Sequence, residues 1–130
     1  MTRTASCSCG ALKVHCEGEP VRVSVCHCLA CQQRTGSAFG VTARFDNDKV
    51  TIEGPSAQWS RTGDEGTTAD FQFCPTCGST VLWRAREYPG VTAVAVGAFA
   101  DPTFQPPIRT VYESRAHPWL EVHGIQERWD

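Results

Sequence analysis

The sequence has no surplus of basic charge. Twelve Lys and Arg stand against 14 Asp and Glu, for a formal net charge of −2 over 130 residues. The basic footprint that grips nucleic-acid phosphates is missing, and the ten arginines are spread along the chain. No apolar run approaches the roughly 20 residues that span a bilayer, so no membrane partner is expected. The opening stretch MTRTASCSCG has no apolar centre. A secretory signal is therefore not expected there, and a reducing, cytoplasmic setting is the default. Internal repeats, low-complexity tracts and domain-scale linkers are also absent. With 41% hydrophobic residues the chain is too apolar to be disordered. The expectation is one domain over residues 1–130, long enough to bury an ordinary core.

What the sequence does have is cysteine. Eight are present, and seven are grouped: Cys7 and Cys9 as C-S-C, Cys26, Cys28 and Cys31 as C-H-C-L-A-C, and Cys74 and Cys77 as C-P-T-C. In a reducing compartment such grouping points to metal rather than to disulfides. Zn–S bonds of about 2.3 Å place neighbouring sulfurs a little under 4 Å apart, which C-x-C and C-x-x-C turns can supply. Zinc is the expected metal, with iron–sulfur ligation as the competing reading. A thioredoxin-like role for C-P-T-C lacks its βαβ context.

Counting ligands gives four and three. One C-x-C with one C-x-x-C can close a tetrahedral site, whereas three thiolates leave a position open, as in reactive zinc sites. The simplest partition groups Cys7, Cys9, Cys74 and Cys77, and leaves Cys26, Cys28 and Cys31 on a second metal. The alternative, in which the triple motif and one further cysteine form the closed site, is left open by spacing. Cys16 reads as a small buried residue on a strand. His27 could replace a sulfur ligand, although extended backbone points it away from its neighbours.

The rest reads as short strands. Leu12, Val14 and Cys16 alternate onto one face, and Val21, Val23 and Val25 onto another, with a Gly18-Glu19-Pro20 turn that suggests a hairpin. Further candidates are 39–45, 49–52, 57–62, 68–73, 80–83, 91–96 and 108–112. One short helix is expected from about Cys28 to Arg34, stopped by Thr35-Gly36. Trp119, Trp129 and the His117-Pro118 step are expected to complete a core or a subunit contact, and His123 has no evident partner. The class is mainly β.

Three stretches together resemble the glutathione-dependent formaldehyde-activating (GFA) family, also called the centromere protein V/GFA domain. They are Cys7-Ser8-Cys9-Gly10-Ala11, Cys26-His27-Cys28-Leu29-Ala30-Cys31-Gln32-Gln33-Arg34-Thr35-Gly36 and Phe73-Cys74-Pro75-Thr76-Cys77-Gly78-Ser79. Gly97-Ala98-Phe99-Ala100-Asp101-Pro102 is similar to a later turn of that family, with one extra residue before the aspartate. The likeness runs from about Cys7 to about Trp119. It implies a zinc-containing, Mss4-like β-sheet sandwich with two Zn²⁺ per chain. It also implies a structural zinc on Cys7, Cys9, Cys74 and Cys77, and a catalytic one on Cys26, Cys28 and Cys31. The implied activity is a carbon–sulfur lyase that forms or cleaves an adduct of a small thiol such as glutathione and a small aldehyde, such as S-hydroxymethylglutathione. Arg34, about one helical turn past Cys31, is the candidate charge partner. The competing expectation is a zinc-ordered binding or carrier module without catalysis. A glutathione-binding set is not matched.

Overall fold

The computed structural model describes residues 1–130. The chain is mainly β, with eleven strands and one α-helix. In order these are β1 (Thr2–Ser6), β2 (Lys13–Glu17), β3 (Arg22–Cys26), α1 (Leu29–Thr35), β4 (Gly40–Asp46) and β5 (Val50–Glu53). There follow β6 (Ala57–Thr62), β7 (Thr68–Phe73), β8 (Thr80–Ala85), β9 (Val91–Ala95), β10 (Arg109–Val111) and β11 (Glu127–Trp129). Two sheets result, β1-β2-β5 and β11-β10-β3-β4-β9-β8-β7-β6. All pairings are antiparallel except those of β10, which runs parallel to β3 and β11.

Alternation explains how the sheets meet. Ala5, Leu12, Val14 and Cys16 from the small sheet, and Val23, Ala43, Phe45, Leu82 and Val94 from the large one, are buried in one cluster. Burial of these side chains at roughly 25 cal/mol per Å² is the main force holding the layers together. The opposite face of the large sheet carries Arg22, Ser24 and Cys26 of β3 beside Arg44, Thr42 and Gly40 of β4. Successive residues of a strand point to opposite faces, so these six share the face turned away from the core.

Leu12, Val14, Cys16, Val23 and Val25 lie inside as expected, but Val21 is 58% exposed, before the strand begins. The expected hairpin does not form. β2 pairs with β1 and β5, while β3 crosses to the other sheet and pairs with β4 and β10. The turn is present, with Gly18 at φ 73°, but it redirects the chain between layers. β1, which has no apolar alternation to mark it, takes the edge of β2 that β3 was expected to fill. Trp119 is 72% and Trp129 57% exposed, so neither completes the core of this chain.

The helix matches its expected span closely. The Cys28 sulfur caps it by accepting the Cys31 N–H, and Gly36 closes it at φ 71° with its N–H on the Gln32 carbonyl. A seven-residue helix with no buried residue owes its form to these caps rather than to packing.

Candidate metal centres and the groove beside them

Two turns build the first centre. Cys7 leaves β1, its N–H on the Leu12 carbonyl, and its Sγ accepts the Leu12 N–H at 3.2 Å. Cys74 leaves β7, and its Sγ accepts the N–H groups of Thr76 and Cys77 at 3.4 and 3.5 Å. The Ser8 and Ser79 hydroxyls, 2.9 Å apart, join the turns. The four sulfurs of Cys7, Cys9, Cys74 and Cys77 lie within 4.8 Å of one another, with Cys7–Cys9 at 3.7 Å and Cys9–Cys74 at 3.6 Å. Those separations match a tetrahedron of sulfurs about 2.3 Å from a central ion. The Leu12 N–H pulls the Cys7 thiol down, and the Ser79 hydroxyl pulls Cys77 down to about 5. Both effects favour the thiolate that a metal requires.

The second centre joins the end of β3 to the start of α1. Cys26, Cys28 and Cys31 have sulfurs within 4.8 Å of one another, Cys28–Cys31 being 3.0 Å apart. All three are half-buried, and no fourth Cys, His, Asp or Glu joins them. Hydrogen bonding from Cys26 draws the Cys28 thiol far below its ordinary value, while Cys26 itself, bonded to Cys28, is driven far above it. Three sulfurs this close cannot all be thiolates unless a cation balances them. The donor set therefore fits a metal, as does the first. Each cluster can hold an ion.

His27 stands outside this cluster. It is 3% exposed, its Nδ1 has no hydrogen-bond partner, and burial lowers its pKa. It lines a cavity of about 160 Å³ together with Thr110. Arg109 and Val111 line the groove described below, so alternation along β10 puts the His27 cavity on the other face. Cys16 is fully buried on β2, and burial pushes its thiol up to about 11.

Arg34 lies beside the second centre. Its guanidinium carbon is 4.4 Å from the Trp83 ring centroid and 5.2 Å from that of Phe71. A Cβ at Gly40 would lie in ordinary contact with Arg34 and Cys31, at 3.5 and 3.6 Å, so Gly40 borders this corner. Gln32 locks the helix in place. Its amide nitrogen donates to the carbonyls of His27 and Arg115, and its oxygen meets His117 Nε2 at 2.9 Å. His117 thus has a role as an anchor. His123 stays exposed, 3.9 Å from Glu121.

A group of arginines gathers here that no local pattern in the sequence marks. A groove of about 760 Å³ runs over the outer face of the large sheet, and Arg22, Arg44, Arg61 and Arg109 line it with Trp83 and Tyr112. Arg22 lies opposite Arg44 in the strand register, and Arg109 opposite Ser24. Burial and the neighbouring guanidiniums push both Arg22 and Arg44 below the ordinary arginine value. Trp129 closes one edge, with Arg109 over its ring at 4.6 Å. These positions are scattered along the chain, so only strand register reveals the cluster.

A mainly β protein that gathers cysteines into two sets, each able to hold a metal ion, is the class that this fold and these sites define. The particular family follows: the chain belongs to the GFA family, described as "Glutathione-dependent formaldehyde-activating enzyme", whose match covers residues 2–115. A crystal structure of a Rhodobacter sphaeroides protein is similar in fold, with a TM-score of 0.60 and 18% sequence identity over 98% of this chain and 99% of that one. No curated protein matches the sequence significantly. No helix is long and apolar enough to cross a membrane.

Proposed function

We propose that residues 1–130 form one GFA-type zinc domain acting as a carbon–sulfur lyase on a thiol–aldehyde adduct. Cys7, Cys9, Cys74 and Cys77 hold a structural zinc. Cys26, Cys28 and Cys31 hold a second zinc, where a small thiol such as glutathione meets a small aldehyde such as formaldehyde. The observation that carries this reading is the inequality of the two clusters, four sulfurs in one and three half-buried sulfurs with no fourth ligand in the other.

A zinc held by three thiolates supplies a soft cation that lowers the pKa of an added thiol, otherwise about 8.5, so that it reacts as thiolate near neutral pH. The chain's own residues do the rest. The Cys31 N–H fixes the Cys28 sulfur at 3.3 Å, and half-burial leaves one side of the trio open. Arg34, its guanidinium over Trp83 and Phe71, supports the negative charge that a further sulfur brings. In synthesis the thiol sulfur bonds to the aldehyde carbon, and the thiol proton ends on the former carbonyl oxygen, giving a hemithioacetal. Cleavage reverses each step. Thiols add to small aldehydes quickly without help, so the barrier left to lower is small.

Metal analysis of the purified protein and of Cys28→Ser tests the reading. The expected result is about two zincs in the parent and one in the variant, which keeps its fold and loses thiol-adduct turnover. If Cys28→Ser unfolds outright, the triple cluster is structural and the chain is a zinc-ordered binding module instead.

A further inference from the structure

Four arginines, Arg22, Arg44, Arg61 and Arg109, line the groove against two carboxylates of its own wall, Asp64 and Glu65. Arg109 is paired with Glu127 at 2.7 Å. Arg44 reaches only the Ser24 hydroxyl, at 3.0 Å, and neither it nor Arg22 has a carboxylate partner. Arg22 Nε is buried with no hydrogen-bond partner at all. Like charges placed directly across a strand pair destabilise a sheet, and an unmet buried donor adds to the cost. A pair of guanidiniums in this state is a receptor for a group bearing two negative charges, because forked N–H donors match the oxygens of phosphate and carboxylate.

Register supplies the connection to the chemistry. Arg22, Ser24 and Cys26 follow one another on the same face of β3. Arg22 and Cys26 are four residues apart, roughly 13 Å along the strand. An elongated molecule of that reach, lying past Trp83 and Tyr112, can have one end at the arginines and the other at the sulfurs.

We propose that Arg22 and Arg44 seat a compact dianion, a phosphate monoester or two adjacent carboxylates, on the tail of the thiol compound whose sulfur reaches Cys26, Cys28 and Cys31. This rests on the preceding reading for the identity of the reacting end. Glutathione separates its two carboxylates and carries an ammonium beside one of them, so it offers no compact dianion and is a poorer match than a thiol with a phosphorylated tail.

Calorimetric titration of the zinc-loaded full chain with inorganic phosphate, malonate and acetate at matched ionic strength tests the proposal. The expected result is that phosphate or malonate binds at least tenfold more tightly than acetate. Preference for phosphate identifies a phosphate monoester, and preference for malonate a paired carboxylate. Arg22→Gln should remove that preference, Arg22→Lys should retain part of it, and circular dichroism checks that both are folded. If either variant fails to fold, the comparison of dianion with monoanion on the parent protein still decides. Equal binding of all three anions, or an undiminished preference in folded Arg22→Gln, overturns the proposal. Thiol-adduct turnover without any dianion preference overturns it too, while leaving the lyase reading intact. Dianion binding that persists in Cys28→Ser upholds the seat as separate from the sulfurs. Dianion binding without thiol turnover in the parent upholds the seat and sinks the lyase reading.

Discussion

Arg34 shows how one side chain can be placed by its surroundings rather than by an acid. It has no carboxylate partner and rests over two aromatic rings, with Gly40 beside its tip. An aromatic face attracts a cation without neutralising it, so the charge stays available to an anion at the adjacent sulfurs. Replacing it by Met keeps much of the apolar stem and deletes the charge. A charge interaction at a partly exposed position is worth about 1 kcal/mol, so Arg34→Met should weaken thiol binding roughly fivefold. Titration at low and high salt is the check. The parent's advantage should shrink as salt screens it, and equal affinity at low salt removes Arg34 from the site. Its nearness to Cys31 was legible from a spacing of three residues at a helix start. Its aromatic seat was not, because Phe71 and Trp83 come from β7 and β8, far along the chain.

Among the elements, local signals mark where strands and turns fall but not which strands pair. β6 and β7 fall where alternation and turn residues put them, and α1 starts and stops at Cys28 and Gly36. The hairpin of β2 with β3 failed because Gly18-Glu19-Pro20 specifies a change of direction and nothing about which strand is met next. β1 and β11 went unread: β1 has only Ala5 buried, and all three residues of β11 are exposed, so neither shows an apolar rhythm. Polar contacts fix one register that apolar patterning alone would leave loose. Thr92 of β9 is fully buried, accepts from Arg84 Nε of β8 at 2.9 Å, and donates to Asn47 Oδ1 at 2.7 Å. Thr92→Val conserves shape and strands both partners, which should cost about 1–3 kcal/mol. A lower urea midpoint with unchanged slope would register that loss, and an unmoved midpoint would refute it.

For the molecule as a whole, a metal held by the first cysteine cluster would fasten the N-terminal turn to one reached 65 residues later, between Cys9 and Cys74. Closing a loop of that length removes unfolded-chain entropy worth about 4 kcal/mol on the cross-link scale. Cys9 and Cys77 are exposed, so replacing them disturbs no packed core. Cys9→Ser/Cys77→Ser should therefore lose one metal and roughly that much stability, measured by metal analysis and urea unfolding. Retention of both metals and full stability would show that this cluster is no fastening. The paired cysteine motifs made this closure readable from spacing. The arginine groove was unreadable because positions 22, 44, 61 and 109 share no local pattern and meet only after eight strands are ordered.

The first cluster is also lopsided: each turn contributes one sulfur to the interior, Cys7 and Cys74, and one to solvent, Cys9 and Cys77. The solvent-facing couple is the side open to a competing chelator or an oxidant. With a metal bound, Cys9 and Cys77 would be the ligands that solvent meets first, and damage there would reach the layered interior from its rim.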